Sequence, residues 1–385
     1  MLFRSGHKSI GDCGTATIFT EGVSMLAAKA IQDWFLYSGQ EASTRYIDFA
    51  KQRFINILGS PESNDILEWW RKAYLKYLPI MIERFRKLFP FQEGWDRTDY
   101  EKAIKARAFD VVRGLLPAGA STNLAWHTNL RQAADHIEWM RHHPLDEVRD
   151  IANKMEEALR EAYPSSFTTK RYADAEEYRT KWMRHNYYAD ATIHPGFGFS
   201  TSGIDWEVTE SLLPATENRP PKTELPKEVA FCGTMRFEFL LDFGSFRDIQ
   251  RHRAVTQRMP LLTTNFGFEQ WYINQMPPEI QGEVLDLIQY QREAVEDLGI
   301  SAVYAQYYHP MGYRTPNAIV GDLRALVYLV ELRNTRFVQP TLRRRAREMA
   351  EVLTQEFGRY GLVVHLDDNP EAFDVKRGKH DIVMK

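Results

Sequence analysis

The sequence predicts an α/β protein built from two related domains. Three observations lead there. At 385 residues the chain exceeds the usual size of a single domain. Short strand-like stretches alternate with longer segments whose apolar residues recur every three or four positions. The order of these elements, with several of their residues, is met twice along the chain. Hydrophobic residues make up 44% and charged residues 26%, as in ordinary folded proteins, and an aromatic content of 13% argues against disorder. A net charge of −3 supplies no global field for nucleic acid, so any anion site has to be local. No apolar run is long enough for a bilayer, and the first residues lack a secretory apolar region, so a cytoplasmic protein is expected. Cys13 and Cys232 are the only cysteines, which excludes a disulfide framework and a four-cysteine zinc site.

The first half opens with Gly6-His7-Lys8-Ser9 and runs to Cys13; alternation over Thr15–Thr20 then suits a strand. Helical spacing of Val23, Leu26, Ala27, Ala30, Ile31 and Trp34 leads to Gln40-Glu41-Ala-Ser43-Thr-Arg45. A helical region over about 64–88 carries Trp, Tyr and Leu on one side and Lys and Arg on the other. After Arg113-Gly-Leu-Leu-Pro117, a helix opens at Asn129-Leu-Arg131 with Leu130, Ala133, Ala134, Ile137 and Met140 on one face, and another covers about 145–160. Residues 189–227 read as loop, with Pro195, Pro214, Pro220, Pro221 and Pro226 among Gly, Ser and Thr. The expected division is therefore a first domain over 1–190, a linker over 191–227 and a second domain over 228–385.

The second half repeats this order. Cys232-Gly-Thr234 echoes Cys13-Gly-Thr15, and strand-like Phe237–Leu241 follows. Pro310 to Arg324 spans fourteen positions, as Pro117 to Arg131 does; both arginines open helices, and each is followed by a further helix, here about 341–357. An internal duplication is the economical explanation.

The stretch Arg251-His252-Arg253 places three ionisable side chains side by side, costly to bury unless an anion meets them. Alone it also reads as an exposed basic turn. Glu41 and Arg45 stand four apart and suit a surface pair worth about 0.3–0.5 kcal/mol. Arg343-Arg-Arg-Ala-Arg347 reads as the solvated face of a helix rather than a nucleic-acid patch. His136, His142 and His143 lack the spacing that brings two imidazoles to one helix face, so no metal site is expected.

The ordered set of these fragments resembles the flavin-dependent thymidylate synthase (ThyX) family, as a tandem fusion of two degenerate copies. That family carries Gly-His-x-Ser/Thr, then Arg-His-Arg followed closely by Asn/Gln-Glu-x-Ser-x-Arg-Tyr. The first half matches Gly6-His-Lys-Ser9, Ser38 and Gln40-Glu41-x-Ser43-x-Arg45, but has Asp33-Trp-Phe35 where Arg-His-Arg belongs. The second half has Arg251-His252-Arg253 but continues as Arg258-Met259-x-Leu261-x-Thr263. Downstream, the family's Arg-x-x-Leu-Pro and Asn-x-Arg appear as Arg113–Pro117 and Asn129-Leu-Arg131; the second half has Gln306–Pro310 and Asp322-Leu-Arg324 instead. The first copy begins at Gly6, without the strand and helix that precede this point in the family.

The resemblance implies a mixed sheet with flanking helices in each copy, the chain a pseudo-dimer that pairs again as a homo-oligomer like the family tetramer. It implies a nucleotide site drawing Gln40, Glu41, Ser43, Arg45 and Arg113 from one half and Arg251 from the other. By the same carry-over, Ser9, Asp12, Asn129, Arg131, His252, Arg253 and Arg324 lie along the flavin, and Arg333 meets the pyrimidine ring, with Arg333, Arg251 and His252 as the catalytic set. The reaction implied is reductive methylation of dUMP to dTMP, with FAD as hydride carrier and methylenetetrahydrofolate and NADPH as co-substrates. Neither cysteine lies in a Pro-Cys-His context, in keeping with a route that needs no cysteine nucleophile. Two other readings stay open: a flavoenzyme acting on another pyrimidine nucleotide, and a non-catalytic nucleotide-binding homologue.

Overall fold

A computed structural model describes residues 8–167, 169–189, 196–369 and 373–377. Gly6, His7 and Pro195 lie outside them. The protein is mixed α/β, with antiparallel sheets and helices, and its described residues gather into two compact units. The first comprises Met1–Glu68, Pro117–Ala189 and Ala294–His309; the second comprises Trp69–Leu116, Asp190–Glu293 and Pro310–Lys385.

In the first unit, strand Thr15–Ser24 pairs antiparallel with Ser121–Asn129, from Thr15 opposite Asn129 to Ser24 opposite Ser121, and Ser38–Glu41 adds an edge. The periodicity expected a helix from Val23, yet the strand continues through Ser24 and the helix is only Met25–Ile31. Two local features explain the difference. Gly22 adopts a left-handed φ of 66° within a register shift, and the Ser24 hydroxyl accepts from the Ala27 amide, which fixes the helix start two residues later. Helix Leu130–Met140 is capped by Asn129, whose Oδ1 accepts from the Gln132 amide, and Asp146–Ala162 follows with Val148, Ala152, Met155 and Leu159 buried. At one edge of the unit, the amides of Ala118 and Gly119 donate to the carbonyls of His309 and Tyr307.

The second unit is put together in the same way. Strand Gly233–Asp242 pairs antiparallel with Arg314–Asp322, from Thr234 opposite Asp322 to Asp242 opposite Arg314. Asp242 caps helix Phe243–Ile249 through the Ser245 amide, and Asp322 caps Leu323–Arg333 through the Ala325 amide. Helix Pro340–Phe357 follows. The amides of Met311 and Gly312 donate to Leu116 and Gly114, which corresponds, position for position, to the bonds of Ala118 and Gly119 in the first unit. Two glycines are required by these close approaches: a Cβ on Gly119 would lie 2.5 Å from the Tyr307 carbonyl oxygen, and one on Gly312 would lie 2.8 Å from that of Gly114.

Part of the segment expected to be linker is ordered structure of the second unit. Gly198–Ile204 pairs with Gly233–Asp242 as an edge strand, and helix Trp206–Leu212 follows. Its Gly, Ser and Thr residues conceal a strand because the demand here is for close backbone approach: a Cβ at Gly203 would lie 2.7 Å from the Thr234 carbonyl oxygen. Long helix Pro61–Leu88 buries Trp70, Tyr74, Tyr77, Met81 and Phe85, the apolar side its periodicity predicts.

Candidate functional site

In the second unit, three chain segments converge on one carboxylate. Asp96 caps helix Arg97–Val112, which ends by placing Arg113 in a short helical turn, its side chain almost wholly buried. Asp242 caps Phe243–Ile249, and that helix presents Asp248 on its last turn, with Arg251 and His252 just beyond it. Arg333 is the last residue of Leu323–Arg333. Arg113 Nη1 lies 3.5 Å from Asp248 Oδ2, and Arg251 Nη2 lies 3.7 Å from Asp248 Oδ1.

Burial alone would raise the Asp248 carboxyl, but Arg113, Arg251, Arg333 and Arg247 together hold it well below the usual carboxylate range. Four guanidinium groups thus face one ionised carboxylate, and the excess positive charge suits an anion. Arg113 Nε and Nη2 are buried without a hydrogen-bond partner. Behind Arg113, Gly114 leaves room for the Tyr272 ring, which a Cβ would meet at 2.8 Å, and the Tyr272 hydroxyl donates to Asp242 Oδ2 at 2.7 Å. Burial raises the Asp242 carboxyl, with Arg113 acting against it.

His252 is buried, and its Nε2 accepts from Arg333 Nε at 2.7 Å, which assigns the imidazole proton to Nδ1. Desolvation, then Arg333 and Arg251, bring its pKa down to about 3, so the imidazole is neutral at physiological pH. Desolvation also lowers Arg333, with Asp248 opposing the shift. The Tyr328 ring closes on His252 edge to face.

Thus Arg113, Arg251, His252 and Arg333 are gathered in the second unit. Arg253 is exposed there, and Arg324 donates to the Leu225 carbonyl and pairs with Glu224. Asp248, Arg247, Asp242 and Tyr272 were missed by sequence reasoning. Asp248 alone carried a signal, an acid three residues before Arg251 on one helical turn.

The other expected residues stand in the first unit. Asp12 Oδ1 pairs with Arg131 Nε at 2.8 Å, while Ser9 lies in the short helical turn Lys8–Cys13 and Asn129 serves as the helix cap. Lys8, Gly11, Arg131, Lys170 and Arg179 help to line a cavity of about 420 Å³. Gln40 and Glu41 lie on the edge strand, opposite Ala125 and Leu124, and Ser43 and Arg45 follow half-buried. Glu41 is fully buried against Lys29 at 2.7 Å, so its carboxylate neutralises an internal ammonium rather than forming the surface pair with Arg45 that spacing suggests. Of the three histidines, His136 Nε2 bonds to the Ile31 carbonyl, His142 meets Glu176 and Thr180, and His143 Nδ1 accepts from the Leu145 amide. The arginines of 343–347 secure neighbouring segments: Arg343 and Arg347 both donate to the Asp367 carbonyl, and Arg344 pairs with Glu269.

Residues 1–165 match the family model described as thymidylate synthase complementing protein. The likeness to that family lies in this part of the chain. The match contains Arg113 and the Asp12–Arg131 pair, while Arg251, His252 and Arg333 lie beyond it. Over nearly its whole length the chain is also similar to proteins named only as UPF0159. One from Chlamydia pneumoniae is 26% identical, over 95% of this chain and 78% of its own. Relatives from Chlamydia muridarum and Thermoplasma acidophilum are 25% and 24% identical, covering 99% and 86% of this chain and 82% and 80% of theirs. Among the described residues no helix is long and apolar enough to cross a membrane.

Proposed function

We propose that the protein is a flavin-dependent enzyme that methylates dUMP at C5, drawing carbon from methylenetetrahydrofolate and reducing equivalents from NADPH. The observation that carries this reading is the cluster of Arg113, Arg247, Arg251 and Arg333 around Asp248, in a chain whose residues 1–165 match the thymidylate synthase complementing protein model. In this reading Arg113 and Arg251 hold the 5′-phosphate, as planar guanidinium forks suit a phosphate dianion. Arg333 stabilises negative charge that builds on the pyrimidine carbonyl. Neutral His252 cannot give up a second proton at pH 7; it orients Arg333 through Nε2 instead.

Lys8, Arg131, Lys170 and Arg179 bring positive charge to the first-unit cavity, partly offset by Glu138 in its wall and by Asp12 and Asp135 paired with Arg131 and Lys8, which suits a phosphate-bearing cofactor. Arg131, in the wall of this cavity, would hold FAD there, with Ser9, Asp12 and Asn129 beside it in the chain as supporting residues. When bound, the flavin supplies the hydride chemistry.

The test is direct. Purified protein should be yellow, and dUMP should stimulate its NADPH oxidation more than UMP or dCMP does. A colourless protein that takes up no flavin would leave the non-catalytic, nucleotide-binding reading. A second enzymatic reading, action on another pyrimidine nucleotide, would be established by dCMP in place of dUMP as the stimulating ligand.

A further inference from the structure

Resting on that nucleotide reading, we infer that each chain offers one nucleotide phosphate site, because the equivalent place in the first unit has been rebuilt as aromatic core. The matching registers and helix caps of the two units equate residues one by one. Ser24 with Asp242 and Ala27 with Ser245 align helix Met25–Ile31 on Phe243–Ile249. Asn129 with Asp322 aligns Leu130–Met140 on Leu323–Arg333. The paired amide bonds of Ala118 and Met311 align His309 on Leu116, and with it Gln306 on Arg113.

On this alignment the cationic set is replaced at every position but one. Asp248 becomes Ala30, Arg251 becomes Asp33, His252 becomes Trp34, Arg333 becomes Met140 and Arg113 becomes Gln306. Arg247 becomes Lys29, the one cation kept, and it is buried against Glu41. Gln306 turns its amide to the Tyr188 hydroxyl and the Val303 carbonyl. At the aligned positions the first unit therefore has one ammonium, Lys29, and one carboxylate, Asp33, with Glu41 drawn in against Lys29, where the second has four guanidinium groups around Asp248, with Asp242 and Asp110 also acting on Arg113. An incoming phosphate would be repelled there.

The space is also largely filled. Trp34 packs on His136 with ring centres 4.7 Å apart, and His143 meets Tyr187 at 4.4 Å. What remains is a cavity of about 190 Å³ whose walls include Trp139, Met140, Trp182 and Met183. Burial keeps both imidazoles neutral, lowering His136 to about 4 and His143 to about 3, so neither supplies the missing positive charge.

Calorimetric titration of the full FAD-loaded chain with dUMP, and separately with inorganic phosphate, tests the inference. One equivalent of dUMP per chain is expected in the wild type, and none in Arg251→Gln. Arg113→Gln, which gives the second unit the residue found in the first, should also bind none. Two equivalents in the wild type, or an equivalent surviving in Arg251→Gln, would overturn it, and the wild-type count does not depend on either variant folding. One Arg251-dependent equivalent of phosphate without dUMP binding would uphold the single anion site while refuting the nucleotide reading. No binding of either would refute both.

Discussion

Arg333 Nε donates to Nε2 of the buried His252 across 2.7 Å, so the imidazole acts as an acceptor and stays neutral in the midst of guanidinium groups. A protonated ring here would add a fifth positive charge and lose this bond. The pair therefore fixes both the tautomer of the histidine and the direction of the arginine.

This arrangement ties stability to pH. Burial lowers His252 and His143 to about 3 and His136 and His309 to about 4, whereas in the unfolded chain each titrates near 6.5. The unfolded state thus binds more protons below pH 6.5, and stability present above that value is lost as pH falls toward the folded values. Each histidine contributes a slope of up to about 1.4 kcal/mol per pH unit. Urea unfolding at pH 7.5 and pH 5 should show a clear loss at the lower pH, and equal midpoints would refute this account.

Arg251 is half-exposed and makes a long contact with Asp248, so it should matter to ligand rather than to fold. Arg251→Ala is expected to bring nucleotide binding below detection, with little change in melting temperature. Binding isotherms and a thermal melt on the same preparation check both halves of the statement.

Arg113 should matter to both. Its side chain is buried beside Asp248, and Arg113→Met would leave that carboxylate without its nearest cation at a cost of about 3 kcal/mol. Arg113→Met with Asp248→Leu should recover most of the stability but none of the nucleotide binding. Strictly additive losses in denaturant melts would show that the two residues do not interact.

Gly119 and Gly312 occupy equivalent places where an amide meets a carbonyl at close range. Gly119→Ala is expected to cost about 1–3 kcal/mol through overpacking against the Tyr307 carbonyl, and Gly312→Ala a similar amount against Gly114 and the Phe268 ring. A melting temperature unchanged in either variant would contradict the geometry.

Much of the fold was legible because it depends on local signals. The helices at Leu130–Met140, Asp146–Ala162 and Pro340–Phe357 follow apolar spacing, and the caps Asn129 and Asp322 are of the residue types helix starts require. The strand Gly198–Ile204 was not legible, since glycines selected for close approach look like loop. Arg113, Arg251, His252 and Arg333, which the structure gathers in one unit, were singled out in the sequence as motif residues, but Asp248 among them was not. Its importance is electrostatic and depends on side chains that only the tertiary structure brings around it. Glu41 shows the converse: a residue conspicuous in a motif has its charge consumed by buried Lys29.

The amides of Ala118 and Gly119 wait for carbonyls of His309 and Tyr307, residues made long after the rest of the first unit. During vectorial synthesis, the family-matched stretch would leave the ribosome with this edge unsatisfied and could close only when nearly all the polypeptide had emerged. Production of residues 1–165 alone is therefore expected to yield aggregated or protease-sensitive material, and acquisition of the native state should follow, rather than accompany, translation.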